Sequence, residues 1–319
     1  MSYVQWIRSH VGHQKIFLVF ATVIVLDENG RILVQHRSDF SFSGLPGGVM
    51  ELNEDIQTTA RREVLEETGF SIGNLALIGV YTDPKYDVLY PNGDQVQQFT
   101  VCFSAFINGG KSLPDGDEIV AHQFVAKDDV LTYDWPIWYR QMLTDFLFKK
   151  EPAFQPFYSH SERVDQVKTL RKHVGTQRVI LVGGTAIIRN DQDEILMFQR
   201  SDNLAWVFPA GYSDIGENVA QTVVREVKEE SQLDVAPKRI IGVYSDPYFN
   251  HTYPNGDQVQ NVSVLFDCEL LSQTINLDLS EVVDFKWVIP NQLPDKIAPV
   301  LRLFGEKVAQ HIDQGTFVF

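Results

Sequence analysis

The sequence predicts an α/β chain made of two copies of one layered domain, and three observations carry that prediction. The octapeptide YPNGDQVQ at positions 90–97 returns at 253–260, a shift of 253 − 90 = 163 residues. The shift holds without insertion or deletion: HVG at 10–12 returns at 173–175, QHRSD ending at Asp39 returns as QRSD ending at Asp202, and Phe124-Val125 returns as Trp287-Val288. Solenoid repeats run to about 20–50 residues, so a period this long marks a duplicated domain. Within each copy, strand-like apolar runs interleave with helical patterns, which argues for helices layered on a sheet.

In the first copy a short helix precedes HVG. The runs IFLVFATVIVL (Ile16 to Leu26) and RILVQHR follow as strands, joined by the turn DENG. A Gly-rich loop, LPGG, leads into an acidic helix from Glu54 to Thr68, stopped by Gly69, which suits a left-handed C-terminal cap. Further strands are expected over Leu75 to Tyr81 and Gln95 to Ile107. A last helix begins near DWP, where Asp134 can cap and Pro136 fits the first turn, and ends at Lys149-Lys150. The stretch EPAFQPFYSH, with two prolines and no clear period, reads as a linker, giving domains over 1–150 and 161–319 joined by residues 151–160.

Composition bounds the function. The 319 residues are 44% hydrophobic and 22% charged, ordinary for globular domains, and long enough for two cores. A formal net charge of −15 supplies no basic field to attract nucleic acid or an anionic membrane. Cys102 and Cys268 are the sole cysteines and form no CxxC, so they read as buried strand residues rather than a disulfide framework or zinc site. The N-terminus lacks the apolar core of a signal peptide, and the run from Ile16 to Leu26 is too short to span a bilayer; a cytoplasmic protein is the expectation.

The chemistry concentrates in REVLEE, residues 62–67. At about 100° per residue, Ile56, Ala60 and Val64 form an apolar stripe, and Glu63, Glu66 and Glu67 fall within or beside it. Like charges at these spacings repel, and buried unpaired carboxylates are costly. Arg62 can pair with Glu66 but cannot neutralise three acids, so a divalent cation is the natural remainder, carboxylate oxygens suiting Mg²⁺ or Mn²⁺. A solvated acidic helix face is the alternative for an isolated run of this kind. The duplication counts against it, because Arg225, Glu226, Glu229 and Glu230 repeat the pattern over the stripe Val219, Val223 and Val227.

The 23 residues GVMELNEDIQTTARREVLEETGF, Gly48 to Phe70, resemble a complete Nudix box, with every fixed position filled and LPG in front. The resemblance implies an α/β/α sandwich with a mixed β-sheet in each copy. It also implies hydrolysis of a nucleoside diphosphate linked to another moiety, so that the partner is a nucleotide-type small molecule. Carried onto this sequence, Glu63, Glu66 and Glu67 would ligate Mg²⁺ or Mn²⁺ with the Gly48 carbonyl as an extra ligand, and Arg62 and Glu54 would orient them. The metal would hold pyrophosphate oxygens and lower the pKa of a bound water. Glu63 is a candidate base, as is Glu118 in a later loop, with Glu281 as its copy; a solvated loop acid is the plain alternative for Glu118.

The second box, Gly211 to Leu233, departs from the pattern: Gln232 stands where the first copy has Gly69, and FPAG replaces LPGG. Gln in a left-handed cap costs about 1–2 kcal/mol, and Ala210 restricts the loop facing the phosphates. No ligand is lost, so metal binding is expected in both halves through Gly211, Glu226, Glu229 and Glu230. Catalysis is expected in the first half, with Arg225 and Glu226 as the second copy's machinery.

Substrate hints are weaker. Pro84 and Pro247, each fifteen residues past the box glycine position, match a family pointer toward ADP-ribose-type compounds, and Tyr86 one toward dinucleoside polyphosphates, although TDP and SDP are also good turns. Arg37 and Arg200 are candidate substrate contacts. Tyr81, Tyr90, Trp206, Tyr244, Tyr253, Phe40 and Phe42 are candidate base-stacking groups, against the common role of aromatics as core. Hydrolysis of nucleoside triphosphates or dinucleoside polyphosphates, or non-catalytic nucleotide-sugar sensing, are the competing readings. AFINGGKS falls short of a P-loop. The two domains are expected to pack as an intrachain pseudo-dimer.

Overall fold

A computed structural model describes residues 1–37, 42–113, 119–156, 162–272, 274–290, 292–297 and 315–318, together with 305, 306 and 308. The chain divides into two compact units, Met1–Phe154 and Gln155–Phe319. Residues 151–154, expected as linker, belong to the first unit. Ala153 is buried there and exchanges backbone hydrogen bonds with Ile78 and Val80, both 2.8 Å.

The first unit runs α1 (Tyr3–Val11), β1 (Ile16–Leu26), β2 (Ile32–Arg37), β3 (Ser43–Gly44), β4 (Gly47–Val49), α2 (Ile56–Thr68), β5 (Phe70–Ile72), β6 (Ala76–Tyr81), β7 (Val88–Leu89), β8 (Gln95–Gly110), β9 (Ile119–Val125) and α3 (Ile137–Phe148). The near-continuous apolar reading of β1 follows from its place at the centre of the sheet. It runs parallel to β8 from Ile16↔Val96 to Leu26↔Phe106, while β2 and β4 pair with it antiparallel. The sheet is therefore mixed. Ile24, Ile32, Val34 and Cys102 face Met142 and Leu143 of α3, whereas α2 buries Ile56, Ala60 and Val64 on the other face, completing an α/β/α sandwich. α3 opens at Pro136 with no side-chain cap; Asp134, expected to cap it, instead accepts the Ser43 N–H through its carbonyl.

The second unit repeats this order as α4 (Gln166–Val174), β10 (Val179–Ile188), β11 (Ile195–Arg200), β12 (Trp206–Val207), β13 (Ala210–Tyr212), α5 (Val219–Ser231), β14 (Val235–Tyr244), β15 (His251–Thr252), β16 (Gln258–Leu270), β17 (Val282–Val288) and β18 (Phe317–Val318). β10 and β16 are parallel from Val179↔Val259 to Ile188↔Cys268. Among the described residues its strands form a six-stranded and a three-stranded sheet, where the first unit has one of nine. Most of the counterpart of α3 lies outside the described residues.

The repeated HVG and YPNGDQ motifs serve one structural device. Arg8 donates to the carbonyls of Gly12, Gln14 and Gln95 at 3.1, 2.8 and 2.9 Å, and Arg171 does the same to Gly175, Gln177 and Gln258 at 3.0, 2.7 and 2.9 Å. The tight turn ahead of β8 needs Gly93 at φ 92°, and that ahead of β16 Gly256 at φ 89°. Both cysteines are free and buried in strands. Among the described residues no helix is long and apolar enough to cross a membrane.

Candidate active site

The α2 helix starts where the Asp55 carboxylate accepts the N–H groups of Gln57 and Thr58, both at 2.9 Å, and ends at Gly69 in the left-handed conformation, φ 73°. Its acids are held by one guanidinium. Arg62 Nε and Nη2 donate to the two Glu54 oxygens at 2.7 and 3.0 Å, and Nη1 donates to Glu63 Oε1 at 2.7 Å and Glu66 Oε2 at 3.1 Å. Nη2 also reaches the Val49 carbonyl at 3.0 Å, which ties the helix to β4. Glu67 turns away to two neutral donors, Gln35 Nε2 and the Gly47 N–H, each 3.0 Å from its Oε2. Three carboxylates thus share one guanidinium.

Burial raises the Glu54 carboxyl, but its bonds to Arg62, the Glu51 N–H and Thr59 outweigh that and leave it below its ordinary value. Glu63 shifts upward: burial dominates, Arg62 only partly offsets it, and Glu66 and Glu54 add to it. The Glu63 carboxylate lies against Gly48, where a Cβ would collide with all three of its terminal atoms. Glycine is therefore required for this carboxylate to lie against the β4 backbone.

The second unit builds the same clamp, more deeply. Arg225 donates to both Glu217 oxygens at 2.7 and 3.1 Å, to Glu226 at 2.7 Å, to Glu229 at 3.0 Å and to the Tyr212 carbonyl at 2.9 Å. A Cβ on Gly211 would again collide with the Glu226 carboxylate. Burial pushes Glu226 up to about 7. Burial, then the charges of Glu226 and Glu281, push Glu230 up to about 9, and its Oε2 is buried with no hydrogen-bond partner. Gln232 takes the left-handed cap expected of it, φ 61°, while Ala210 sits in β13 opposite Thr185 without a positive φ.

As placed, no three His, Cys, Asp or Glu side chains among the described residues are gathered to hold an ion. The chemistry of the site nonetheless fits one. Clustered carboxylates, a glycine cradle and the orphaned Glu230 oxygen match a hard divalent cation such as Mg²⁺ or Mn²⁺.

The structure brings together Arg62, Glu63, Glu66, Glu67 and Gly48, and likewise Arg225, Glu226, Glu229, Glu230 and Gly211. Glu281 lies within electrostatic reach of Glu230, as does Arg200, which also pairs with Asp202 at 2.8 Å. Glu118, Phe40 and the Arg37 side chain lie outside the described residues.

Several aromatic expectations need correction. Tyr81 is fully buried and donates to Asp145 on α3 at 3.0 Å, so it cannot stack on a base. Tyr86 is buried against Tyr81, and Tyr244 packs on Phe249 at the second core. Trp206 is core, its ring capped by the Lys286 ammonium at 3.9 Å. Tyr90 sits half-buried in the turn its backbone closes with Asp94. Pro84 and Pro247 open short 3₁₀ turns capped by Asp83 and Asp246, which accounts for TDP and SDP without a ligand.

Sequence reasoning missed Gln35, Glu217 and Tyr212. The repeat gives Glu217 directly as the copy of Glu54. Gln35 is a polar residue at a buried strand position directly after the apolar Ile32, Leu33 and Val34, which is a readable signal. Tyr212 Oη bonds Tyr253 Oη at 3.0 Å and Asn261 Oδ1 at 2.7 Å beside Gly211. No local pattern announces that contact.

The NUDIX domain family matches residues 17–146 and again 181–308. A Bacillus subtilis protein to which 8-oxo-dGTP diphosphatase activity is ascribed is 37% identical over 106 residues, 33% of this chain and 64% of that protein. The ADP-ribose pyrophosphatase of Methanocaldococcus jannaschii is 34% identical over 92 residues, 28% of this chain and 53% of that protein. The chain thus spans less than two thirds of the length of these relatives. The solved structure of an ADP-ribose pyrophosphatase from Streptococcus suis is 26% identical, covering 44% of this chain and 98% of that one, with a TM-score of 0.35.

Proposed function

The chain belongs to the Nudix family, carrying two of its domains, and from that premise we propose that it hydrolyses the phosphoanhydride bond of a nucleoside diphosphate linked to a second moiety. The first unit carries the reaction, with Mg²⁺ or Mn²⁺ as cofactor. The observation that supports this most is the Arg62 clamp. One guanidinium ties Glu54, ahead of α2, to Glu63 and Glu66 on the helix and so gathers three carboxylates beside the Gly47–Val49 strand.

Glu63, Glu66 and Glu67 would hold the ion, which supplies charge neutralisation at phosphorus and a more acidic bound water. Arg62 and Glu54 fix the direction of the carboxylates, so the geometry is paid for in folding rather than during turnover. Glu63, with its raised proton affinity, is the group suited to take the proton from water; Glu118 is the second candidate. In the other unit Glu226, Glu229 and Glu230 would hold the same kind of ion, with Arg225 orienting Glu226 and Glu229 and Glu281 in the position of Glu118.

ADP-ribose and related nucleotide sugars are the first substrates to test, because one relative is named for ADP-ribose; nucleoside triphosphates follow, because another is named for 8-oxo-dGTP. Phosphate-containing products are measured with Mg²⁺ and with Mn²⁺ across nucleotide sugars, dinucleoside polyphosphates and triphosphates. Glu67→Gln should lower turnover on the active compounds by about 10²-fold or more, an amide being a poorer ligand, without unfolding the protein. Parent-level turnover of Glu67→Gln at saturating metal would overturn the assignment.

A further inference from the structure

Residues of β2 alternate between the two faces of the sheet. Ile32 and Val34 enter the core beneath α3, so Leu33 and Gln35 face α2. Gln35 is fully buried there. Its Nε2 donates to Glu67 Oε2 at 3.0 Å, and its Oε1 is buried without a partner. Since a carboxylate acceptor takes the N–H side, the amide's orientation is fixed and its oxygen faces no donor among the described residues. A buried acceptor of this kind is costly unless a water or ligand completes it.

The second unit has no such group. The cross-strand pairs Gln35↔His122 and Phe198↔Phe285 are related by the same shift of 163, so Phe198 replaces Gln35. The eye-catching match of QHRSD with QRSD is misleading here. Gln199 is one residue out of phase and donates to the Leu204 carbonyl at 3.1 Å instead. Phe198 is fully buried, and Glu230, the copy of Glu67, is left with an oxygen that nothing holds.

We propose that Gln35 is a positioning residue peculiar to the first unit: its amide N–H fixes Glu67, and its free oxygen accepts a hydrogen bond from a water ordered at the carboxylate cluster. Phe198 removes both contributions from the second unit. The difference between the two sites then originates on the strand facing the box helix rather than in the box. This rests on the reading of the carboxylates as metal-binding groups.

The test uses the full chain carrying Glu230→Gln, so that Mn²⁺ binding followed by electron paramagnetic resonance and calorimetry reports the first unit. Adding Gln35→Met keeps the side-chain length and removes both hydrogen-bonding groups. Mn²⁺ affinity should weaken about 10–100-fold, the range for removed partners of metal ligands, and kcat should fall in parallel while KM moves less than about twofold. A purely structural role would lower the melting temperature and leave Mn²⁺ affinity intact. In the otherwise native chain, Phe198→Gln should tighten Mn²⁺ binding at the second unit by a similar factor, which keeps the proposal testable even if Gln35→Met folds poorly. Unchanged Mn²⁺ affinity in a folded Gln35→Met chain, or in Phe198→Gln, overturns the proposal and leaves the metal reading standing. Absence of saturable Mn²⁺ binding in the parent overturns both.

Discussion

Replacing each clamp arginine by methionine should destabilise the two units unequally. Methionine keeps most of the aliphatic stem, so the change isolates the guanidinium. In the first unit the Arg62 and Glu54 side chains retain 26% and 18% of their exposure; in the second, Arg225 and Glu217 retain 14% and 3%. Exposed pairs contribute about 0–1 kcal/mol, whereas stripping a partner from a buried carboxylate costs about 3–5 kcal/mol. The first pair lies between these limits, at about 1–2 kcal/mol, and the second within the buried range, at about 3–4 kcal/mol. At about 2–4 °C per kcal/mol for domains of this size, Arg62→Met should lower the melting point by several degrees and Arg225→Met by roughly twice as much. Scanning calorimetry of the metal-free full chain reads both. Adding Glu217→Gln to Arg225→Met should recover part of the loss, because the charge left uncompensated is then gone. Equal losses in the two arginine variants, or no recovery in the double variant, would refute the argument from burial.

Two further outcomes concern the second unit. Glu226 and Glu230 have folded pKa values raised from 4.5 to about 7 and about 9, so between those limits the folded state binds more protons than the unfolded one. Metal-free stability of this unit should therefore fall as pH rises from about 4.5 to 9, and Glu230→Gln should flatten most of the slope in melts recorded across that range. At the helix caps, Gln232→Gly relieves a left-handed residue at φ 61° and should stabilise by about 1 kcal/mol. Gly69→Gln should cost more than that, because a Cβ there also meets the Lys111 carbonyl and the Leu113 side chain at 3.0 Å; chemical denaturation measures both.

The acidic helix was legible because its conflict is local. Three carboxylates within or beside an apolar stripe stand out at helical spacing, and the 163-residue repeat shows the conflict is kept twice. The caps were legible for the same reason, Asp55 and Gly69 acting within a turn of their own positions. The aromatic groups were not, since their roles depend on distant partners. Tyr81 meets Asp145 across 64 residues of chain, and at the position of Asp145 in the second unit stands the buried Val308. No window around Tyr81 reveals that partner. The parallel pairing of β1 with β8 is equally non-local: it places Phe20 beside Thr100 and so sets the sheet that α2 lies on.

Gln35 falls between these cases, and it shows what a duplicated chain offers to sequence reading. Its burial was visible from strand alternation, but the similarity of QHRSD and QRSD invites a pairing of the two glutamines that the register forbids. Counting strictly by 163 sets Gln35 against Phe198 and His36 against Gln199, which is the pairing that the strands β9 and β17 enforce. Arg62 and the carboxylates Glu54, Glu63, Glu66 and Glu67 recur in both copies, whereas the donor facing Glu67 is lost before Glu230. Comparison in strict register therefore directs attention to the neighbours of the box, because a helix with its acids intact can differ in function only through what surrounds those acids.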